Sequence, residues 1–218
     1  MGQADTIEKT RAYLEDTFKT SEGAHDYWHM YRVWRLAQNI AKTEPTADRY
    51  VVELAALLHD IADWKFNDGN LEAGPRAART WLESIGVDDK IIHHIEEIIR
   101  TTSFKGAGVP SESKTIEAQI VHDADKLDAI GAIGIARTFA YGGAKQLPIY
   151  DPAVKPTLHA DFESYKNSRS PTINHFYEKL LLLKDRFYTN EAKRIAEHRH
   201  SFMEAYLEEF FSEIDGKL

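Results

Sequence analysis

Cysteine is absent from the 218 residues. That excludes a disulfide framework and any thiolate metal site, so a metal bound by this chain must take nitrogen and oxygen ligands. Positive charge is also scarce: 27 Lys and Arg stand against 35 Asp and Glu, for a net charge of −8. A nucleic-acid polymer is therefore not an expected partner for the surface as a whole, although a local basic pocket can still take a phosphate. No apolar run approaches the roughly 20 residues that cross a bilayer, and Met1 to Asp16 is polar with no signal core. A cytoplasmic protein without membrane association is expected. Alternating β-branched runs joined by Asn-Gly or Asp-Gly turns are missing as well. What remains, 43% hydrophobic and 28% charged, is an ordinary globular balance carried on helical periodicity, which predicts an all-α protein.

Asp5 and Glu8 read as a capping pair that opens a first helix ending near Thr20. A second is expected from Tyr27 to Lys42, ahead of Pro45. The third, from about Ala47 to Asp63, is apolar nearly all round and should be central and buried. A fourth runs from Leu71 to Ile85 with Gly86 at its C′ position. A fifth covers Asp88 to Arg100, and a sixth starts near Lys114 and passes through Asp125. Gly142 to Ala160, with three prolines and two glycines, is expected to be a long functional loop. Ser170-Pro171 should open a further helix as cap and first residue. A last amphipathic helix spans Thr189 to Glu213 with the apolar stripe Ala192, Ile195, Phe202, Tyr206 and Phe210, and its aromatic stripe Phe202, Tyr206, Phe210 and Phe211 is expected to be core or dimer surface. The expected organisation is one domain over 1–218, with a helical core and a C-terminal helical extension from 142.

The dipeptide His-Asp occurs three times, as His25-Asp26, His59-Asp60 and His122-Asp123. Chance gives roughly 0.7 from composition, so the dipeptide alone identifies nothing. Context discriminates. His59-Asp60 ends the most apolar helix, where a charged Asp needs compensation, by a divalent cation or by hydrogen bonding within the pair. His29 and Arg32, at i and i+3, share a face, and a ligand beside a phosphate-binding cation suits phosphoryl chemistry. In Asp123-Ala124-Asp125-Lys126-Leu127-Asp128, the first of the three aspartates points away from the face that Asp125 and Asp128 share. Carboxylates on an otherwise apolar helix suggest a buried cation. Asp63, one turn after Asp60, is placed as a general base or as support for a ligand.

The ordered set His29, His59-Asp60, Asp125 resembles the H…HD…D signature of HD-domain phosphohydrolases. The contexts His25-Asp26-x-x-His29-x-x-Arg32-Val33, Leu57-Leu58-His59-Asp60-Ile61 and Asp123 to Asp128 are similar to that family over about residues 20–141. The tail, with His175-Phe176-Tyr177-Glu178-Lys179-Leu180-Leu181, Thr189 and Ala196-Glu197-x-Arg199, resembles a subgroup of small bacterial HD hydrolases associated with nucleotide pyrophosphohydrolase activity. The resemblance implies an all-α HD-domain bundle and a metal held by His29, His59, Asp60 and Asp125, with Asp123 as the alternative to Asp125. It also implies that one of His93 and His94 lines the site, as in family members that bind a second metal.

Two imidazoles and two carboxylates suit Mn²⁺ best, with Fe²⁺, Ni²⁺, Co²⁺, Zn²⁺ or Mg²⁺ as alternatives. The expected roles are Asp63 for the attacking water, Arg32 and Lys126 for phosphoryl charge, and Lys105, His94 and Asp128 for substrate. Lys65, Arg137, Lys145 and Lys179 are further cations that the sequence does not rank. The expected substrate is a small phosphorylated molecule, a nucleoside or deoxynucleoside triphosphate cut to monophosphate and pyrophosphate, and the one protein partner considered is a second copy in a homodimer. Phosphomonoester or cyclic-phosphodiester hydrolysis, or a nucleotide sensor without turnover, are the other readings of the same residues.

Overall fold

A computed structural model describes residues 2–19, 26–62, 70–102, 113–158 and 169–218. Among them every regular element is a helix: α1 Gln3–Thr17, α2 Tyr27–Ala41, α3 Arg49–Leu58, α4 Ala73–Ser84, α5 Asp89–Thr102, α6 Ile116–Asp128, α7 Gly131–Ala144, α8 Asn174–Glu178, a 3-10 helix Leu180–Leu183, and α9 Asn190–Ile214. No described helix is long and apolar enough to cross a membrane. The described residues through Asp125 form one unit and those from Lys126 onward a second, the division falling inside α6.

In the first unit α3 is the hub, packed by α1, α2 and α5. The reason is its sequence: Tyr50, Val51, Val52 and Leu54 through Leu58 are all buried. At ~1.5–3 kcal/mol for each large aliphatic side chain removed from water, this helix is stable only with neighbours on every side. Its start is set by Asp48, whose carboxylate accepts from the Tyr50 and Val51 amides at 2.9 and 3.3 Å. Its end comes at Leu58, earlier than the periodicity predicts. The Leu58 carbonyl accepts from Ile61 three residues on, at 3.1 Å, so the chain tightens and leaves the α-helix. His59 and Asp60 thus sit in the turn that follows α3.

The expected capping pair at the N-terminus does not form. Gly2 is the N-cap of α1 and no side chain caps it. Asp5 and Glu8 lie inside the helix, where each meets a cation on the next turn: Asp5 pairs with Lys9 at 3.5 Å, and Glu8 with Arg11. Gly86, in contrast, takes the left-handed conformation (φ +74°) expected of a residue that stops α4.

In the second unit α7 packs on α9. Helix α7 runs through Gly142 to Ala144, so the first residues of the expected loop are helical, and the irregular segment begins at Lys145. Gly142 is there for close packing: a Cβ would lie 2.2 Å from Thr172 Oγ1 and 2.8 Å from its Cγ2, and Thr172 is itself buried. Gly142→Ala is expected to lower stability by about 1–3 kcal/mol through overpacking, and adding Thr172→Ala should recover most of it. Urea midpoints of the two variants check this; equal losses in single and double would remove the contact from the account. Ser170-Pro171 precedes α8 by a turn and does not cap it. The Ser170 hydroxyl instead donates to Glu178 and accepts from the Asn174 amide, both at 3.0 Å. The helix expected from about Thr189 begins at Asn190, and Thr189 is its N-cap, accepting from the Ala192 amide. The aromatic stripe of α9 divides: Tyr206 packs on Phe139 and Phe176, Phe210 and Phe211 meet Tyr150, and Phe202 stays half-exposed.

Candidate metal centre

His29 is held in the first turn of α2. Asp26, the N-cap, accepts the His29 amide at 2.8 Å, so the aspartate of the first His-Asp pair works as a cap. His59 is held differently. Its Nδ1–H donates to the Ala56 carbonyl at 2.9 Å, which fixes the tautomer and leaves the Nε2 lone pair facing inward. The two Nε2 atoms approach to 3.3 Å. Asp125, from the last turn of α6, brings Oδ1 to 3.5 Å from His29 Nε2 and 3.7 Å from His59 Nε2. Asp60 brings Oδ2 to 3.6 and 3.7 Å from the same two atoms.

These separations are those of a coordination shell. A cation at about 2.1 Å from each donor places neighbouring donors roughly 3.0–3.4 Å apart, close to the 3.3–3.7 Å seen here. His29, His59 and Asp125 form the one set of three clustered donors able to hold a metal among the described residues, and Asp60 lies against the same nitrogens. The donor set therefore fits a divalent cation. The electrostatics agree: burial disfavours a charged His59, but the Asp60 and Asp125 carboxylates outweigh it and push its pKa up to about 9. Asp125 is itself held below the usual carboxylate range, burial being overcome by the two histidines. The pocket thus stabilises positive charge at its centre, which a cation supplies better than a proton. The imidazoles are 2% exposed, Asp60 20% and Asp125 34%, so the cluster is closed on the histidine side and reachable along the carboxylates.

The other expected site residues fall in different places. Arg32 lies one turn beyond His29 on α2, half-buried. Asp123, the alternative to Asp125, is fully buried on α6 and is not among the clustered donors. The buried cation anticipated for Asp128 turns out to be a guanidinium: Arg137 Nη1 reaches its Oδ2 at 2.7 Å. Lys126 donates to the Arg186 carbonyl at 3.0 Å and faces the Tyr188 ring. His94 lies beside Thr115 at 3.2 Å and Glu117 at 3.7 Å, and His93 is exposed next to Glu97. Asp63, Lys65 and Lys105 lie outside the described residues. The sequence reading missed the Ala56 carbonyl that orients His59, although the i−3 spacing at a helix end is a usable signal for it.

The HD-domain pattern matches residues 27–130, which include the cluster. The crystal structure of an HD-superfamily hydrolase from Bacillus thuringiensis is 40% identical, with a TM-score of 0.78 over 98% of this chain and 99% of that one. The chain belongs to the HD superfamily of metal-dependent hydrolases. Among the similar proteins is YpgQ of Bacillus subtilis, 33% identical over 99% of this chain and 97% of its own length. One crystal structure of YpgQ, at a TM-score of 0.74 covering 98% of this chain and 97% of that one, is a complex with ADP.

Proposed function

We propose that this HD hydrolase cleaves nucleotides at a phosphorus–oxygen bond, taking a nucleoside or deoxynucleoside triphosphate to monophosphate and pyrophosphate, with the whole chain working as one domain. The observation that carries the reading is the convergence of His29, His59, Asp60 and Asp125 on one point; the ADP complex of YpgQ supports a nucleotide as the ligand class. The four side chains would hold one divalent cation, Mn²⁺ by preference for a mixed nitrogen and oxygen set. When bound, the cation supplies Lewis-acid stabilisation of phosphoryl oxygens and lowers the pKa of water.

The chain's own residues do the rest. Ala56 keeps His59 in the tautomer that presents Nε2, so the imidazole binds without first shedding a proton from the wrong nitrogen. The partly exposed Asp60 and Asp125 face the approach to the site, where they orient the attacking water by accepting its hydrogens. Asp63 is proposed as the base that takes its proton, and Arg32, one turn from His29, as the group that draws in phosphate charge.

The test is chromatography of products from dNTP, NTP, dNMP and cyclic dinucleotide substrates with Mn²⁺ present. Monophosphate and pyrophosphate in equal amounts are expected. Release of inorganic phosphate from triphosphate or monophosphate, cleavage of the cyclic substrates alone, or binding with no product across a metal panel would each overturn the reading.

A further inference from the structure

The carbonyl end of α6 is gripped by two arginines from later helices. Arg199, in the middle of α9, donates through Nη1 to the Leu127 carbonyl. Arg137, on α7, donates to the Asp128 carbonyl at 3.2 Å as well as to its carboxylate. Both carbonyls are among the last four of the helix and carry the negative end of its dipole. The Leu127 carbonyl also accepts from the Ile130 amide at 3.2 Å, so Arg199 adds a second, charged donor to it, and a guanidinium answers the dipole.

The backbone is shaped to admit Arg199. The chain leaves α6 and turns at Gly131, with φ +76°, where a Cβ would stand 2.9 Å from the Arg199 stem. Glycine at this position supplies the left-handed turn and lets the arginine lie across the helix end. Arg199 is half-buried, and burial lowers its pKa below the ordinary arginine value against the opposing charge of Asp128. Keeping a guanidinium where burial works against its charge calls for a role, and the proposed chemistry gives it none.

Asp125 lies on the same last turn, two residues before Leu127. Of the four ligands in the reading above it alone comes from α6, and it is the most exposed of them. A helix end frays unless its carbonyls are held, and fraying would swing this carboxylate away from the histidines. We infer that Arg199 is a positioning residue for Asp125: by holding the Leu127 carbonyl it keeps the last turn of α6 wound and the carboxylate aimed at the metal centre. The inference rests on Asp125 being a ligand.

The test uses the full-length protein and Mn²⁺ itself. Arg199→Met, Arg199→Gln and Arg199→Lys are compared with wild type by equilibrium dialysis of Mn²⁺, by far-UV circular dichroism, and by turnover at saturating Mn²⁺. Arg199→Met is expected to raise the Mn²⁺ dissociation constant about tenfold or more, the range for losing a group that orients a ligand. Helix content should be kept and turnover at saturating metal should stay within about threefold. Arg199→Lys, which can still reach one carbonyl, should recover part of the affinity. A folded Met or Gln variant with wild-type Mn²⁺ affinity overturns the inference. So does failure of both to fold, because the arginine would then be holding up its own unit and not setting a ligand. A parallel His59→Ala protein separates the two failures: if it still binds Mn²⁺ normally, the metal centre itself has been misread.

Discussion

His59→Ala is expected to remove the bound divalent metal and the hydrolytic activity together, with activity falling by more than the roughly 10–100-fold that loss of a mere supporting partner causes. The imidazole stands 3.3 Å from His29 Nε2 and 3.7 Å from both Asp60 and Asp125. Without it the remaining carboxylates face one histidine and a cavity, and a cation there has lost a strong nitrogen donor. The fold should survive. His59 is buried but follows α3 and is not part of the helix, and outside the cluster its hydrogen-bond partner is the Ala56 carbonyl, a group that water can satisfy once the ring is gone. Metal analysis of the purified variant, turnover, and far-UV circular dichroism check the three parts. The stronger version is His59→Ala with Asp60→Ala: full turnover in that protein, or in wild type stripped by a chelator, would sink the metal-dependent reading.

Asp128→Asn should be the most damaging change outside the centre. Asp128 is 1% exposed and its carboxylate meets Arg137, whose side chain is 27% exposed. Breaking a buried pair leaves one charge without compensation, at a cost of about 3–5 kcal/mol when both partners are deeply buried. Water reaches Arg137 from one side, so about 2–3 kcal/mol is expected here. Removing both charges, as Asp128→Asn with Arg137→Met, should cost less than the single change, because Arg137 is then no longer left without its carboxylate. Urea titration of the single and double variants decides it. A single variant within about 0.5 kcal/mol of wild type would show that the pair contributes nothing measurable. The Asp128 carboxylate is occupied by this pair, so contact with substrate would require the pair to open.

Much of the molecule is legible from residues alone. The helical class follows from periodicity, and the burial of α3 from a run that has no polar face to give to water. Gly86 and Thr189 end and begin helices for local reasons, a left-handed turn and a hydroxyl that accepts an amide. His29 with Arg32 on α2, and His59 with Asp60 just after α3, draw attention through their short spacings, and the matched HD pattern covers them.

Other features depend on partners distant in sequence, and no local pattern announces them. Asp125 and Asp128 are chemically alike and one helical turn apart, yet one faces two histidines and the other a guanidinium. Only contacts from outside α6 separate them, with His29 and His59 at Asp125 and with Arg137 at Asp128. Gly142 reads as a helix breaker until Thr172 is seen against it. Asp5 and Glu8 have the spacing of a cap, but the helix begins before them. The sequence by itself determined the all-helical class, the central helix and the kinds of side chain available to a metal, because these follow from composition and short-range spacing. The tertiary structure decided which of those side chains meet, because a metal centre is a point where residues far apart in the chain converge, and that convergence is set by how helices pack.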